Sequence, residues 1–119
     1  MKVRFFYLRD RYKASNDSQN GNPIGCVAST INYDEGTISY NVSMVNPKDK
    51  FNKSLAREIS VVRLDQRPIS VSLPFKEKLN GHELHKILMK NIVLHGPSTS
   101  AKKSAQKWLN RFNVSLQGE

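Results

Sequence analysis

"IGCVASTINYDEGTISYNVSMV", residues 24–45, decides the architecture. In its second arm Ile38, Tyr40, Val42 and Met44 alternate with Thr37, Ser39, Asn41 and Ser43, a period of two residues. Asp34-Glu35-Gly36 supplies a short connection, with glycine where a positive φ is needed. The pattern predicts an antiparallel hairpin with one face buried and one wet. Toward the N-terminus, residues 2–9 alternate Val3, Phe5 and Tyr7 with Lys2, Arg4 and Phe6, which predicts another strand. The intervening "KASNDSQNGNP", 13–23, lacks large apolar residues and reads as a flexible loop.

Downstream of the hairpin stands "NPKDKFNKSLAREISVVRL", residues 46–64. Asn46 suits an N-cap, Pro47 the first helical position and Asp49 the third, so a helix is predicted from there to just before Arg67-Pro68. On a helical wheel Phe51, Leu55, Ile59 and Val62 share one side, the expected core face. Lys50, Lys53 and Arg57 fall on the opposite, wet side. The β-branched run 59–64 leaves a strand pairing with 69–73 as the alternative.

Residues 69–73 predict a short strand. Asn80 and Glu83 form a capping box for a second helix, in which Leu84, Ile87, Leu88 and Ile92 make a stripe interrupted by Asn91. Gly96-Pro97 stops it. A third helix starts at Ser98-Thr99-Ser100. Ala101, Ala105, Trp108, Leu109 and Phe112 form its apolar side, and Lys103, Lys107 and Arg111 its other side. The last residues, 114–119, are expected to fray. The sum is one α+β domain over residues 1–119: an antiparallel sheet of three to four strands with about three helices packed on one face.

With 119 residues the chain can bury a core without disulfides or metal. No apolar run approaches the roughly 18 residues that a membrane span needs, so no membrane partner is expected. "MKVRFFYLRDRYK" carries charge within and after its apolar part and reads as a strand, not a signal peptide. The single cysteine, Cys26, fits a reducing cytoplasm and a buried position, with a reactive thiol as the alternative.

The formal net charge is +9, with a pI near 9.9. A surplus of that size favours anionic partners, nucleic acid first. Three basic stretches supply it: the first strand and its exit (Lys2, Arg4, Arg9, Arg11, Lys13), the first helix (Lys48, Lys50, Lys53, Arg57) and the last helix (Lys102, Lys103, Lys107, Arg111). The last helix carries no acid between Ser98 and Gly118, whereas a face built only for solvation usually mixes signs. Ser98 and Ser100 open that helix, where backbone N–H groups suit a phosphate. Phe5, Phe6 and Tyr7 beside these cations are the type of residue that stacks on unpaired bases.

Catalytic and metal signatures are weak. The ten acids are scattered, and no nucleophile elbow, phosphate loop or dinucleotide turn is present. His82 and His85 are spaced i, i+3, with His95 ten residues on, but zinc wants three or four close ligands. No cofactor and no enzymatic activity are therefore expected.

Two local resemblances add context. "STSAKKSAQKWL" is similar to the last helix of double-stranded RNA-binding domains, the matching positions being Lys102, Lys103 and Ala105, with Gln106 where that family usually has a third lysine. Residues 46–64 resemble a pattern in small proteins of phages and mobile elements, carried here by Pro47, Lys48, Asp49, Phe51, Lys53, Arg57, Arg63 and Leu64. The second resemblance implies a viral or mobile-element origin and, for a viral protein, the host cytoplasm.

The resulting expectation is a small basic protein that binds nucleic acid, DNA ahead of RNA, through phosphate-backbone contacts in replication, recombination or transcription. The candidate residues are Lys48, Lys50, Lys53, Arg57, Ser98, Ser100, Lys102, Lys103, Lys107 and Arg111. The alternative is a viral interaction module that inhibits a host or viral protein or assembles with it, a second copy of the chain being one such partner.

Overall fold

The computed structural model describes residues 2–12, 21–46, 49–73 and 80–111. The elements are β1 (Arg4–Arg9), β2 (Pro23–Asn32), β3 (Thr37–Met44), α1 (Lys53–Gln66), β4 (Ile69–Ser72), α2 (Gly81–His95) and α3 (Thr99–Arg111). The strands form one antiparallel sheet in the order β1-β2-β3-β4. The hairpin pairs Asn32 with Thr37 and closes through Gly36, whose φ of 67° is the left-handed conformation glycine adopts without a Cβ penalty. Four antiparallel strands and three helices make the chain α+β, as its alternation and caps predict.

The helices do not share one face. Tyr40 and Asn41 are neighbours on β3 and so point to opposite sides. Tyr40 Oη donates to Asn91 Oδ1 of α2 at 2.7 Å. Asn41 Nδ2 donates to the carbonyls of Arg63 and Arg67, at the end of α1, at 3.4 and 2.7 Å. Thus α1 covers one face, and α2 with α3 covers the other. The expected wet face of β3 is buried instead: Asn41 and Ser43 are both covered. Alternation distinguished the two faces correctly. What it missed is that small polar residues can also be a packing surface.

The face under α2 and α3 holds the main core. Leu8, Val27, Ile38, Tyr40 and Val42 meet Leu84, Leu88, Met89 and Ile92 of α2 and Ala101, Ala105, Trp108 and Leu109 of α3. Asn91, the polar break in the α2 stripe, is there to accept the Tyr40 hydroxyl. Asn80 caps α2 by accepting from the Glu83 N–H at 2.8 Å, and Gly96 follows its last turn.

The opposite face is built from small residues. Cys26 and Ala28 of β2 are fully buried, and Ala56, Ser60 and Leu64 are the buried residues of α1. Ser60 Oγ lies 3.7 Å from Cys26 Sγ and donates to the Arg57 carbonyl at 2.8 Å. This close fit turns α1 over relative to the hydrophobic stripe in its sequence. Leu55 and Val62, expected in the core, are 52% and 48% exposed, while Ser60 is 0% exposed. The side that carries Lys53 and Arg57 is the one that leans toward the sheet. Shape decides here: Ala56 and Ser60 let the helix lie close against the small residues of β2, and Leu64 fills the space one turn on.

The start of α1 also differs from expectation. The cap is Asn52, whose Oδ1 accepts from the Leu55 N–H at 3.0 Å, not Asn46. The Asn46 carbonyl accepts from the Asp49 N–H at 2.9 Å in a preceding turn. Residues 59–64 are helical, and β4 pairs with β3. Pro47, Lys48, Phe112, most of the 13–23 loop and the 114–119 tail lie outside the described residues.

Ser60→Leu is expected to destabilise the fold by about 1–3 kcal/mol through overpacking. Leu55→Ser, though it removes a much larger apolar group, is expected to change stability by no more than about 0.5 kcal/mol. Urea denaturation of the two variants checks which side of α1 is inside.

Candidate nucleic-acid interface

Among the described residues β1 is an edge strand, paired with β2 alone. Phe5 and Tyr7 point to the α1 side and Phe6 and Leu8 to the α2–α3 side. On the α1 side the Arg57 guanidinium lies 5.2 Å from the Phe5 ring centre and 5.7 Å from that of Tyr7. Its Nε donates to Tyr7 Oη at 2.7 Å. Lys53 Nζ lies 5.0 Å from the Tyr7 ring centre, and the Phe51 ring meets Tyr7 edge-on at 5.8 Å. These cation–ring contacts hold two exposed charges against the strand. Lys50 is exposed just before α1.

At the other end of β1 the contacts come from α3. Ser104 Oγ donates to the Arg9 carbonyl at 2.7 Å and lies 3.0 Å from Tyr12 Oη. Tyr12 Oη accepts from the Arg9 N–H at 2.8 Å, and burial raises the pKa of this phenol. Lys107 Nζ donates to the Asp10 carbonyl at 2.8 Å, and the Arg9 guanidinium donates to the Gly21 carbonyl at 2.9 Å. Lys107 is therefore an anchor of the strand exit as well as a surface charge. Lys103 and Arg111, one turn before and after it, are exposed and continue its line.

Tyr7 and Asp10 are three residues apart, roughly 10 Å along a strand. The Lys53–Arg57 pair and Lys107 are thus brought to one strand from opposite sides of the sheet. This juxtaposition is not readable from either helix alone. Exposed Arg4 opens the same strand, on the far side of Tyr7 from Asp10. Among the described residues one ion pair forms within 4.0 Å, Lys86 with Glu83 at 3.8 Å, so carboxylates leave the β1 cations available.

The remaining candidates are less well placed. Ser98 is the cap of α3: its Oγ accepts from the Ala101 N–H at 3.2 Å and its carbonyl from the Lys102 N–H at 3.1 Å. Its hydroxyl is thus already engaged. Ser100 and Lys102 are exposed, but Lys102 sits about 100° around the helix from Lys103 and does not extend its line. Lys48 lies outside the described residues.

The histidines and acids do other things. The His85 ring lies tilted between Phe6, at 4.4 Å, and Trp108, at 4.7 Å, and desolvation, with a smaller effect of His82, lowers its pKa to about 4. Cys26 lies on the opposite sheet face, where burial raises its thiol pKa. Among the described residues no group of three or more His, Cys, Asp or Glu could hold a metal ion. Glu35 belongs to the hairpin turn, where it accepts from Asn32 Nδ2 at 2.9 Å and its N–H donates to Asn32 Oδ1. Among the described residues no helix is long and apolar enough to cross a membrane.

Arg63 and Arg67 are absent from the candidate residues read from the sequence, yet both line a groove beside β3. Arg63 donates to the Val42 carbonyl at 2.8 Å, on the side of β3 that β4 is too short to cover. The signal was there in outline: a predicted strand of about five residues beside one of nine must leave an edge open. Helix α2 precedes α3, so the likeness to double-stranded RNA-binding domains is confined to the last helix. Comparison with known protein families, curated proteins and solved structures found no match.

Proposed function

We propose that the protein binds nucleic acid by wrapping a single strand around the β1 edge. The observation that carries this reading is the convergence of Lys53 and Arg57 from α1, and Lys107 from α3, on one edge strand. Lys53 and Arg57 meet the Tyr7 ring, and Lys107 holds the Asp10 carbonyl. Each phosphate neutralised there releases condensed counterions, and with a net charge of +9 the long-range field favours encounter. The two groups of cations lie on opposite sides of the sheet. A stiff duplex resting on one face reaches one group, whereas a flexible strand can bend around the edge and reach both. Phe5, Tyr7 and Phe51 add aromatic surface of the kind unpaired bases stack on. The contacts are to backbone and ring faces, so the binding is weakly sequence-selective. A role in replication, recombination or transcription belongs to the same proposal, as does a phage origin, for which the resemblance of residues 46–64 is the support.

Fluorescence anisotropy with labelled single-stranded DNA, duplex DNA and duplex RNA tests it. Single-stranded DNA is expected to bind tightest, with affinity falling steeply as salt rises. Absence of binding to all three at low salt sinks the nucleic-acid reading and leaves the protein-partner alternative.

A further inference from the structure

A second feature lies across the sheet from β1. β4 pairs with Thr37 to Tyr40 only, so on that side β3 runs on from Asn41 to Met44 with no strand beside it among the described residues. A groove of about 550 Å³ follows this stretch, with Arg63 and Arg67 of the α1 end on one wall and Ser98 on the other. A further groove of about 360 Å³ continues it past Leu55 and Ile59, and Met44 lines both. The two grooves share Met44, and the trough they make begins beside Asn41 and Val42, where β4 stops pairing with β3.

The backbone of β3 facing the trough is held by stand-ins. The Val42 N–H donates to Asn41 Oδ1 at 2.7 Å, and the Val42 carbonyl accepts from Arg63 at 2.8 Å. Side chains thus occupy the two positions that a neighbouring strand's backbone would take, a way of keeping an edge protected until it is used. The exchange conserves hydrogen bonds: an incoming strand replaces both, and the Arg63 guanidinium is freed to meet a carboxylate. The apolar part of the trough adjoins the outward stripe of α1, where Leu55 and Val62 remain about half exposed. Among the described residues no carboxylate lines the arginine end, while at the far end Asp49 and Lys50 offset each other.

We propose that this trough takes an extended segment of a partner protein in which acidic and apolar residues alternate, added to the sheet beside β3. Backbone pairing supplies affinity, and the pockets for alternate side chains supply selectivity. The charge complement comes from Arg63 and Arg67 in a chain of net charge +9, which also disfavours a second copy as the occupant. The site is separate from the β1 edge and does not depend on nucleic-acid binding.

The test is selection of a displayed random dodecapeptide library on the full chain, followed by measurement of synthetic copies of the enriched peptides. Arg63→Glu and Leu55→Asp are both surface changes, and thermal melts confirm that each variant folds. Enriched peptides should alternate acidic and apolar residues, and each variant should weaken their binding at least tenfold, while Lys103→Glu leaves it unchanged. Failure to enrich any peptide, or equal binding by wild type and both variants, overturns the proposal. So does a wild-type dimer in light scattering that Leu55→Asp converts to monomer, because the trough would then hold a second copy.

Discussion

Lys103→Glu combined with Arg111→Glu is expected to lower affinity for a labelled single strand at least tenfold at about 0.1 M salt. Both residues are exposed on α3, and among the described residues neither side chain has a hydrogen bond or an ion pair. Removing two phosphate contacts should also flatten the slope of log affinity against log salt by roughly 1.4, at about 0.7 per phosphate for a single strand. Lys107 is unsuited to this experiment, because its ammonium holds the Asp10 carbonyl and its loss would disturb the strand exit. A matched variant on the other face, Lys50→Glu with Lys53→Glu, should produce a similar loss if the strand wraps the edge. If the α3 pair matters and the α1 pair does not, the ligand rests on one face, and the wrapping geometry is wrong.

The second large effect is on stability in acid. The His85 ring lies between Phe6 and Trp108, and its buried Nε2 has no hydrogen-bond partner. Desolvation, then the nearby His82, lowers its pKa from 6.5 to about 4. Between these values the unfolded chain binds a proton that the folded chain does not, so stability rises with pH across that window. It is complete above about pH 6.5 and is lost progressively toward pH 4, by roughly 3 kcal/mol in all. Urea denaturation of wild type and His85→Leu at pH 7 and pH 4 separates this contribution from that of the carboxylates. The variant is expected to lose roughly 3 kcal/mol less than wild type on acidification, whatever its stability at neutral pH. Parallel losses in the two proteins would show that His85 is protonated in the fold without cost.

Much of the fold was legible because local chemistry and tertiary packing agree. Alternation in 37–44 marked β3, Gly36 marked the turn, and Asn80 with Glu83 marked the start of α2. The Asn91 interruption could be seen but not explained, since its partner Tyr40 is 51 residues away. The orientation of α1 was not legible. Its apolar stripe and its small-residue stripe, Ala56 and Ser60, both fit a helix on a sheet, and the choice depends on the Cys26–Ala28 wall it meets. For the same reason the candidate cations were found individually but not as a group. Lys53, Arg57, Lys103 and Lys107 read as two helical faces in the sequence, and only the division of helices between the two sides of the sheet places β1 between them.

Amide chemical-shift mapping by NMR during titration with an unlabelled oligonucleotide tests the central claim most directly. The account predicts shifts along Arg4–Asp10, in residues 50–57 on one side of the sheet and in 103–111 on the other, all at one midpoint. Shifts confined to one face, or confined to the trough beside Arg63 and Arg67, would contradict it.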